Sequence, residues 1–279
     1  MTSTEGTSPQ SIEIDGVRWA YTEQGSGPLV LFLHGTLSSS AMFDALVDSL
    51  ADRYHCIAVD WPGHGHSGYD PDGWTSDDLV ESLVRFLDAL GEPSAAFVGL
   101  SQGGAVSLRV ALRHPEVVDA LVTMNAGPDG PAAPALEAMA ELGRVLRSAG
   151  DDERLEIATR QQQMFHADGW VDANPEAAQR ELEVMLGHDR DAMPLVVRVP
   201  ASYSSVETQL PDIECRTLVL WGEEDVRAFW GPPMAEAIPH ARLEIIAGAG
   251  HHMTFDAPAS TARAVGEFLD DVFATGAGR

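Results

Sequence analysis

The sequence predicts an α/β protein built on a doubly wound, mostly parallel sheet of eight strands, with a helical block inserted late in the strand order. Three observations predict it. Short apolar runs of strand length, at residues 29–33, 95–98, 120–124 and 217–221, alternate with stretches of helical period. Each run is apolar throughout, as in strands covered on both faces. Between about Pro128 and Asp212 no such run occurs, only helical stretches.

Taken in order, residues 1–10 (MTSTEGTSPQ) read as a disordered lead. Residues 11–23 alternate around Asp15-Gly16, the signature of a hairpin. A buried strand at 29–33 is followed by Ser38, Ser39 and Ser40, N-cap candidates for a helix whose apolar positions are Met42, Phe43, Leu46, Val47 and Leu50. A strand at 55–59 precedes a turn-rich loop, DWPGHGHSG. Residues 75–90 form an amphipathic helix with Leu79, Leu83, Leu87 and Leu90 on one face and Gly91 as its stop. The run at 95–98 enters Gly99-Leu100-Ser101-Gln102-Gly103, a sharp strand-to-helix turn whose helix ends before Pro115. Helices are predicted at 132–148, 152–165, 175–187 and 192 to about 204, strands at 217–221 and 243–247, and a last helix at 259–273. The division that follows is a lead at 1–10, a core at 11–127 and 213–279, and a helical cap at 128–212, inserted after the sixth strand.

The formal charge is −26, from 43 acidic and 17 basic residues, every basic one an arginine. Nucleic acid and anionic membrane surfaces are poor partners for such a chain, and anionic substrates are disfavoured unless an arginine is placed to receive them. Cys56 and Cys215 lie in apolar runs and read as reduced core residues. The first ten residues lack the basic and apolar regions of a signal peptide and no run is long enough to span a membrane, which predicts a soluble, cytoplasmic protein. Oligomeric state is left open, a homodimer included.

In a doubly wound sheet the functional groups gather at the carboxyl ends of the strands. His34, Gly35 and Thr36 follow the first parallel strand, Asp60 the next, and Ser101 ends the strand at the sharp turn. Glu223, Glu224 and Asp225 follow residues 217–221, and Gly250, His251 and His252 follow 243–247. A serine, a carboxylate and a histidine thus occur in the chain order of a nucleophilic relay on this kind of fold. A serine hydroxyl needs an imidazole to take its proton and a carboxylate to orient that imidazole. It also needs two backbone N–H groups for the oxyanion: one from Gln102, the other from Thr36 or Leu37. For the carboxylate, Asp225 competes with Glu223, Glu224 and Asp129; for the base, His251 competes with His252. The strand at 120–124 ends in Asn125, which cannot serve as a carboxylate.

These segments, LFLHG, DWPGHGHSG, GLSQGG, LVLWGEED and GAGHHMTFDAP, spread from about Gly25 to Pro258, and with them the chain resembles the α/β-hydrolase fold superfamily, in its serine esterase and enol-lactonase-like branch. The resemblance implies Ser101 as nucleophile, Asp225 as acid and His251 as base, with Asp256 at a position that often carries a structural Glu. It implies structural roles for His34 and for the loop with His64 and His66, and no metal or cofactor. Trp230 and His252 are the residues best placed to touch substrate. Met164, Phe165, Trp170, Met185 and Met193 either line a pocket or pack the inserted helices.

The implied activity is cleavage of a carboxylic ester or lactone of a small organic molecule through an acyl-enzyme. Ser101 stands where epoxide hydrolases and haloalkane dehalogenases carry an aspartate. Thr36-Leu37-Ser38 and Leu100 depart from the pattern of carbon–carbon bond hydrolases, which remain an alternative, on a diketone-type substrate. A cofactor-independent dioxygenase and a ligand receptor are further alternatives on the same fold.

Overall fold

The computed structural model of the protein describes residues 9–130 and 133–274. Its sheet has eight strands: β1 (Gln10–Ile14), β2 (Val17–Gly25), β3 (Leu29–Leu33), β4 (His55–Val59), β5 (Ala95–Leu100), β6 (Val118–Met124), β7 (Thr217–Gly222) and β8 (Ala241–Ile246). They lie in the order β1-β2-β4-β3-β5-β6-β7-β8. The hairpin β1–β2 is antiparallel and β2 pairs antiparallel with β4; every later pairing is parallel. Asp15 and Gly16 both take positive φ, 53° and 78°, as a two-residue turn matched to strand twist requires. Gln10, which the sequence placed in the lead, opens β1 opposite Tyr21; residues 1–8 lie outside the described residues.

The helices are α1 (Asp44–Leu50), α2 (Ser76–Leu90), α3 (Gln102–Arg113), α4 (Ala133–Ser148), α5 (Asp151–Phe165), α6 (Trp170–Ala173), α7 (Pro175–Gly187), α8 (Met193–Val196), α9 (Gly231–Ala237), α10 (Met253–Asp256) and α11 (Pro258–Ala274). Thr75 and Asp78 close a reciprocal capping box on α2, and Gly91 ends it at φ 77°. Two expectations change. Ser38 to Ser40 do not cap a helix with their side chains; a 3-10 turn, Ser40–Phe43, precedes α1, and the Asp60 carboxylate accepts the Ser40 amide at 2.7 Å. The stretch 192–204 is not one helix, because Pro194 and Pro200 each start a new segment, α8 and the 3-10 turn Pro200–Ser202. The predicted start of α4 at residue 132 lies outside the described residues.

Strand β3 shows how the sheet divides the core. Leu29, Leu31 and Leu33 face a cluster with Leu79, Leu83 and Phe86 of α2, while Val30 and Phe32 face one with Leu46 and Leu50 of α1 and Val265, Phe268 and Leu269 of α11. Burying each of these side chains stabilises the fold by roughly 1.5–3 kcal/mol. Between β6 and β7 the described residues form helices and turns only. Both connections to that block are fastened to α3. Buried Arg109 donates through Nη2 to Pro128 O at 3.2 Å and to Ser204 O at 2.5 Å, and through Nη1 to Ala105 O. Among the described residues no helix is long and apolar enough to cross a membrane.

Candidate active site

The turn after β5 holds Ser101 at φ 53° and ψ −112°, a conformation that costs a non-glycine residue roughly 1–3 kcal/mol and marks positions the surroundings over-determine. Glycines make it possible. A Cβ on Gly103 would lie 1.9 Å from Leu33 O, and one on Gly99 would lie 2.4 Å from the Gly103 carbonyl carbon. The Ser101 amide donates to Met124 O at 2.9 Å and its carbonyl accepts from Ala105 N. Ser101 is therefore fixed through its backbone at the N-terminus of α3, with its hydroxyl free of any hydrogen bond among the described residues.

Asn125, at φ 48°, links the neighbouring strand ends. Its Nδ2 donates to Gly250 O at 3.0 Å and His251 O at 2.7 Å, and its Oδ1 accepts from Gly222 N at 2.8 Å. One side chain thereby joins the ends of β6 and β7 to the loop after β8. Asn125 cannot serve as an acid, and its place at a strand end is the sequence signal for this linking role.

The structure brings Asp225 and His251 together. Nδ1 of His251 donates to Asp225 Oδ2 at 2.5 Å, and Asp225 Oδ1 accepts the Arg227 amide at 2.8 Å. Asp225 remains below the ordinary carboxylate range: burial alone would raise it, but the bond from His251 and the nearby positive charge outweigh burial. His251 is pushed down to about 4, by burial first and by the Arg227 guanidinium second, against the pull of Asp225. It is thus a neutral imidazole with its proton on Nδ1. The rival carboxylates are engaged elsewhere: Glu223 accepts Gly248 N, Glu224 accepts Asp168 N, and Asp129 pairs with Ser205.

The loop after β3 supplies backbone donors. His34 donates through Nδ1 to Gly35 O and accepts Trp61 N at Nε2, at 2.7 and 3.0 Å. Leu37, strained at φ 64°, gives its amide to His64 Nε2 at 3.1 Å, so that N–H is committed. The Thr36 and Gln102 amides have no partner among the described residues. Their side chains are tied to each other, Thr36 Oγ1 donating to Gln102 Oε1 at 2.8 Å. Asp60 holds the loop from below through Ser40 N and His66 N.

On the inserted side, the Phe165 ring lies 5.3 Å from His251 and 4.9 Å from His252. His252 is buried, and its Nδ1 donates to Glu181 Oε1 at 2.6 Å. His166 donates to Glu181 Oε2 at 2.8 Å and to Asp256 Oδ1 at 2.5 Å, and stacks on Trp170 at 3.8 Å. Asp256 also accepts the amides of Ala167 and Gly250. His166, Glu181 and His252 place ligand-type atoms within 4.8 Å of one another, but the Glu181 carboxylate already accepts from both histidines, so a metal bound through it would have to displace those bonds. Trp230 packs its ring against Gly127, just past β6. Arg227, two residues beyond Asp225, is the site residue the sequence reading did not single out. A cleft of about 950 Å³ between α1 and α7 is lined by Asp44, Asp60, His66 and Glu183 and by none of Ser101, Asp225 or His251.

A model of the alpha/beta hydrolase family matches residues 30–264. The chain is 30% identical over 264 residues to a 2-hydroxy-6-oxononadienedioate/2-hydroxy-6-oxononatrienedioate hydrolase of Burkholderia vietnamiensis, covering 91% of each. It is 35% identical over 137 residues to a 2-(acetamidomethylene)succinate hydrolase of Mesorhizobium japonicum, a match that spans about half of either protein. A solved thermophilic esterase from Thermogutta terrifontis superposes with a TM-score of 0.88 over 95% of this chain and 99% of that one, at 23% identity, a likeness of fold.

Proposed function

The chain belongs to the alpha/beta hydrolase family, and on that premise we propose that it is a serine hydrolase cleaving a carboxylic ester or lactone of a small organic molecule through an acyl-enzyme. The observation that carries this reading is the Asp225–His251 hydrogen bond, which fixes the proton on Nδ1 and leaves Nε2 as the basic atom. In the reaction Ser101 Oγ attacks the carbonyl carbon as Nε2 takes its proton. The Thr36 and Gln102 amides receive the oxyanion, and Asp225 steadies the imidazolium. Collapse of the tetrahedral species expels the alcohol oxygen, which takes the proton from Nε2. Water, deprotonated by the same atom, then attacks the acyl carbon and releases the acid. No metal or cofactor takes part in these steps. Residues 128–212 act as a cap over this site, with 11–127 and 213–279 as the core.

Ser101→Ala tests the reading. Turnover of p-nitrophenyl acetate is expected to fall about 10⁴- to 10⁶-fold while the circular dichroism spectrum and melting temperature stay those of the parent. Unchanged turnover would sink the mechanism. A second reading draws on the Burkholderia relative, matched over 91% of the chain: hydrolysis of a hydroxy-oxo-dioate rather than an ester. Product analysis with such a dioate and with phenyl esters, on one enzyme preparation, separates the two.

A further inference from the structure

Arg227 is placed oddly for a structural arginine. A single atom, Nη2, stands 2.8 Å from His251 Nδ1 and 3.0 Å from Nε2. A donor at those two distances cannot lie on the in-plane lone-pair direction of both nitrogens, and Nδ1 is already committed to Asp225. The guanidinium therefore lies against the ring itself, over the atom that must take the serine proton. Its one carboxylate neighbour among the described residues, Asp225 Oδ1 at 3.6 Å from Nε, already accepts the Arg227 amide. A cation held there works against catalysis as long as nothing neutralises it, because it opposes formation of the imidazolium. The groups facing His251 are Asp225, Arg227, His252 and the Phe165 ring, so Arg227 is the cation that a ligand would have to answer. The Arg227 side chain is half-exposed, in a chain whose net charge of −26 repels anions elsewhere.

We propose that Arg227 is a substrate-recognition residue for a carboxylate, and that the substrate is an anionic ester or lactone with its carboxylate a few bonds from the scissile carbonyl. This rests on the serine-hydrolase reading above. The incoming carboxylate takes the guanidinium in a forked, charge-assisted pair. Arg227 leaves the imidazole face, Nε2 is uncovered, and the positive charge that opposed the imidazolium is balanced. A neutral ester leaves the guanidinium where it is. No covalent bond changes in this step; an ion pair is exchanged.

The test uses a matched pair, p-nitrophenyl hydrogen succinate and its neutral methyl ester. The parent enzyme is expected to prefer the half-ester. In Arg227→Met the ratio of kcat/KM values, acid over neutral, falls about 10- to 100-fold, with Arg227→Lys between the two. An unaltered ratio in Arg227→Met overturns the proposal. Calorimetric titration of succinate into Ser101→Ala, with and without Arg227→Met, reads the same claim without needing turnover. Succinate binding is expected to weaken at least about 10-fold on loss of the arginine, and equal binding overturns the proposal. Ser101→Ala that keeps full turnover while succinate binding still depends on Arg227 would sink the serine mechanism and leave the carboxylate site standing.

Discussion

His251 and His252 are neighbours in the chain, both buried, and each gives its Nδ1 proton to a carboxylate at about the same distance, 2.5 and 2.6 Å. They nevertheless belong to opposite kinds of site. Asp225 serves His251, and the resulting pair leaves Nε2 basic with a cation resting against it. His252 joins, through Nδ1, a group in which Glu181 bridges it to His166 and accepts from Gln162, and His166 in turn bonds Asp256. His251 is pushed down to about 4, whereas His166 in the adjoining group is pushed up to about 9 because its bonds to Asp256 and Glu181 outweigh burial. A buried histidine bonded to carboxylates at both nitrogens, as His166 is, acts as a structural pin, whereas His251 and His252 each give only Nδ1 to a carboxylate. The pin has a place in the reaction too. Asp256 holds Gly250, and Glu181 with His166 ties the inserted helices α5 and α7 to the loop that carries His251.

The two histidines are expected to respond differently to truncation. His251→Ala is expected to lower ester turnover about 10⁴- to 10⁶-fold with little change in stability. His252→Ala is expected to lose about 2 kcal/mol of unfolding free energy, read by urea denaturation, and to change turnover far less. Equal losses of turnover would place both in the chemistry.

Glu181→Gln acts on stability alone. It leaves the His166 imidazolium with one carboxylate, and a loss of about 3 kcal/mol is expected near neutral pH. The pH dependence carries a sign. The folded pKa of His166 lies above its ordinary 6.5, so its contribution is fully present below that value and is lost as pH rises through about 9. Parent melting temperatures should therefore fall between about pH 7 and 10 more steeply than those of Glu181→Gln. Parallel curves would mean that the pair is not an ion pair.

Most of the fold was legible in the sequence, because strands buried on both faces leave continuous apolar runs and the glycines of the Ser101 turn leave a five-residue pattern. The chain order of Ser101, Asp225 and His251 was legible for the same reason: each stands at a strand end. What was not legible depends on partners far along the chain. Asp60 reaches the Ser40 amide from 20 residues away, so the serines looked like caps. Glu181 meets His252 from 71 residues away, and nothing local to His252 marks that bond. The breaks at Pro194 and Pro200 were visible as prolines, but the apolar spacing through Leu195, Val196, Val197 and Val199 masked them. Arg227 looked like any of 17 arginines until its guanidinium was seen on the His251 ring.

The central claim is that Ser101 is a nucleophile made reactive by His251. Labelling with a fluorophosphonate, followed by peptide mass spectrometry, tests it most directly. Stoichiometric modification of Ser101 is expected in the parent, with labelling slowed at least about 10³-fold in His251→Ala and Ser101→Ala unlabelled. Folded parent protein that leaves Ser101 unmodified, or a His251→Ala variant that labels at the parent rate, would contradict it.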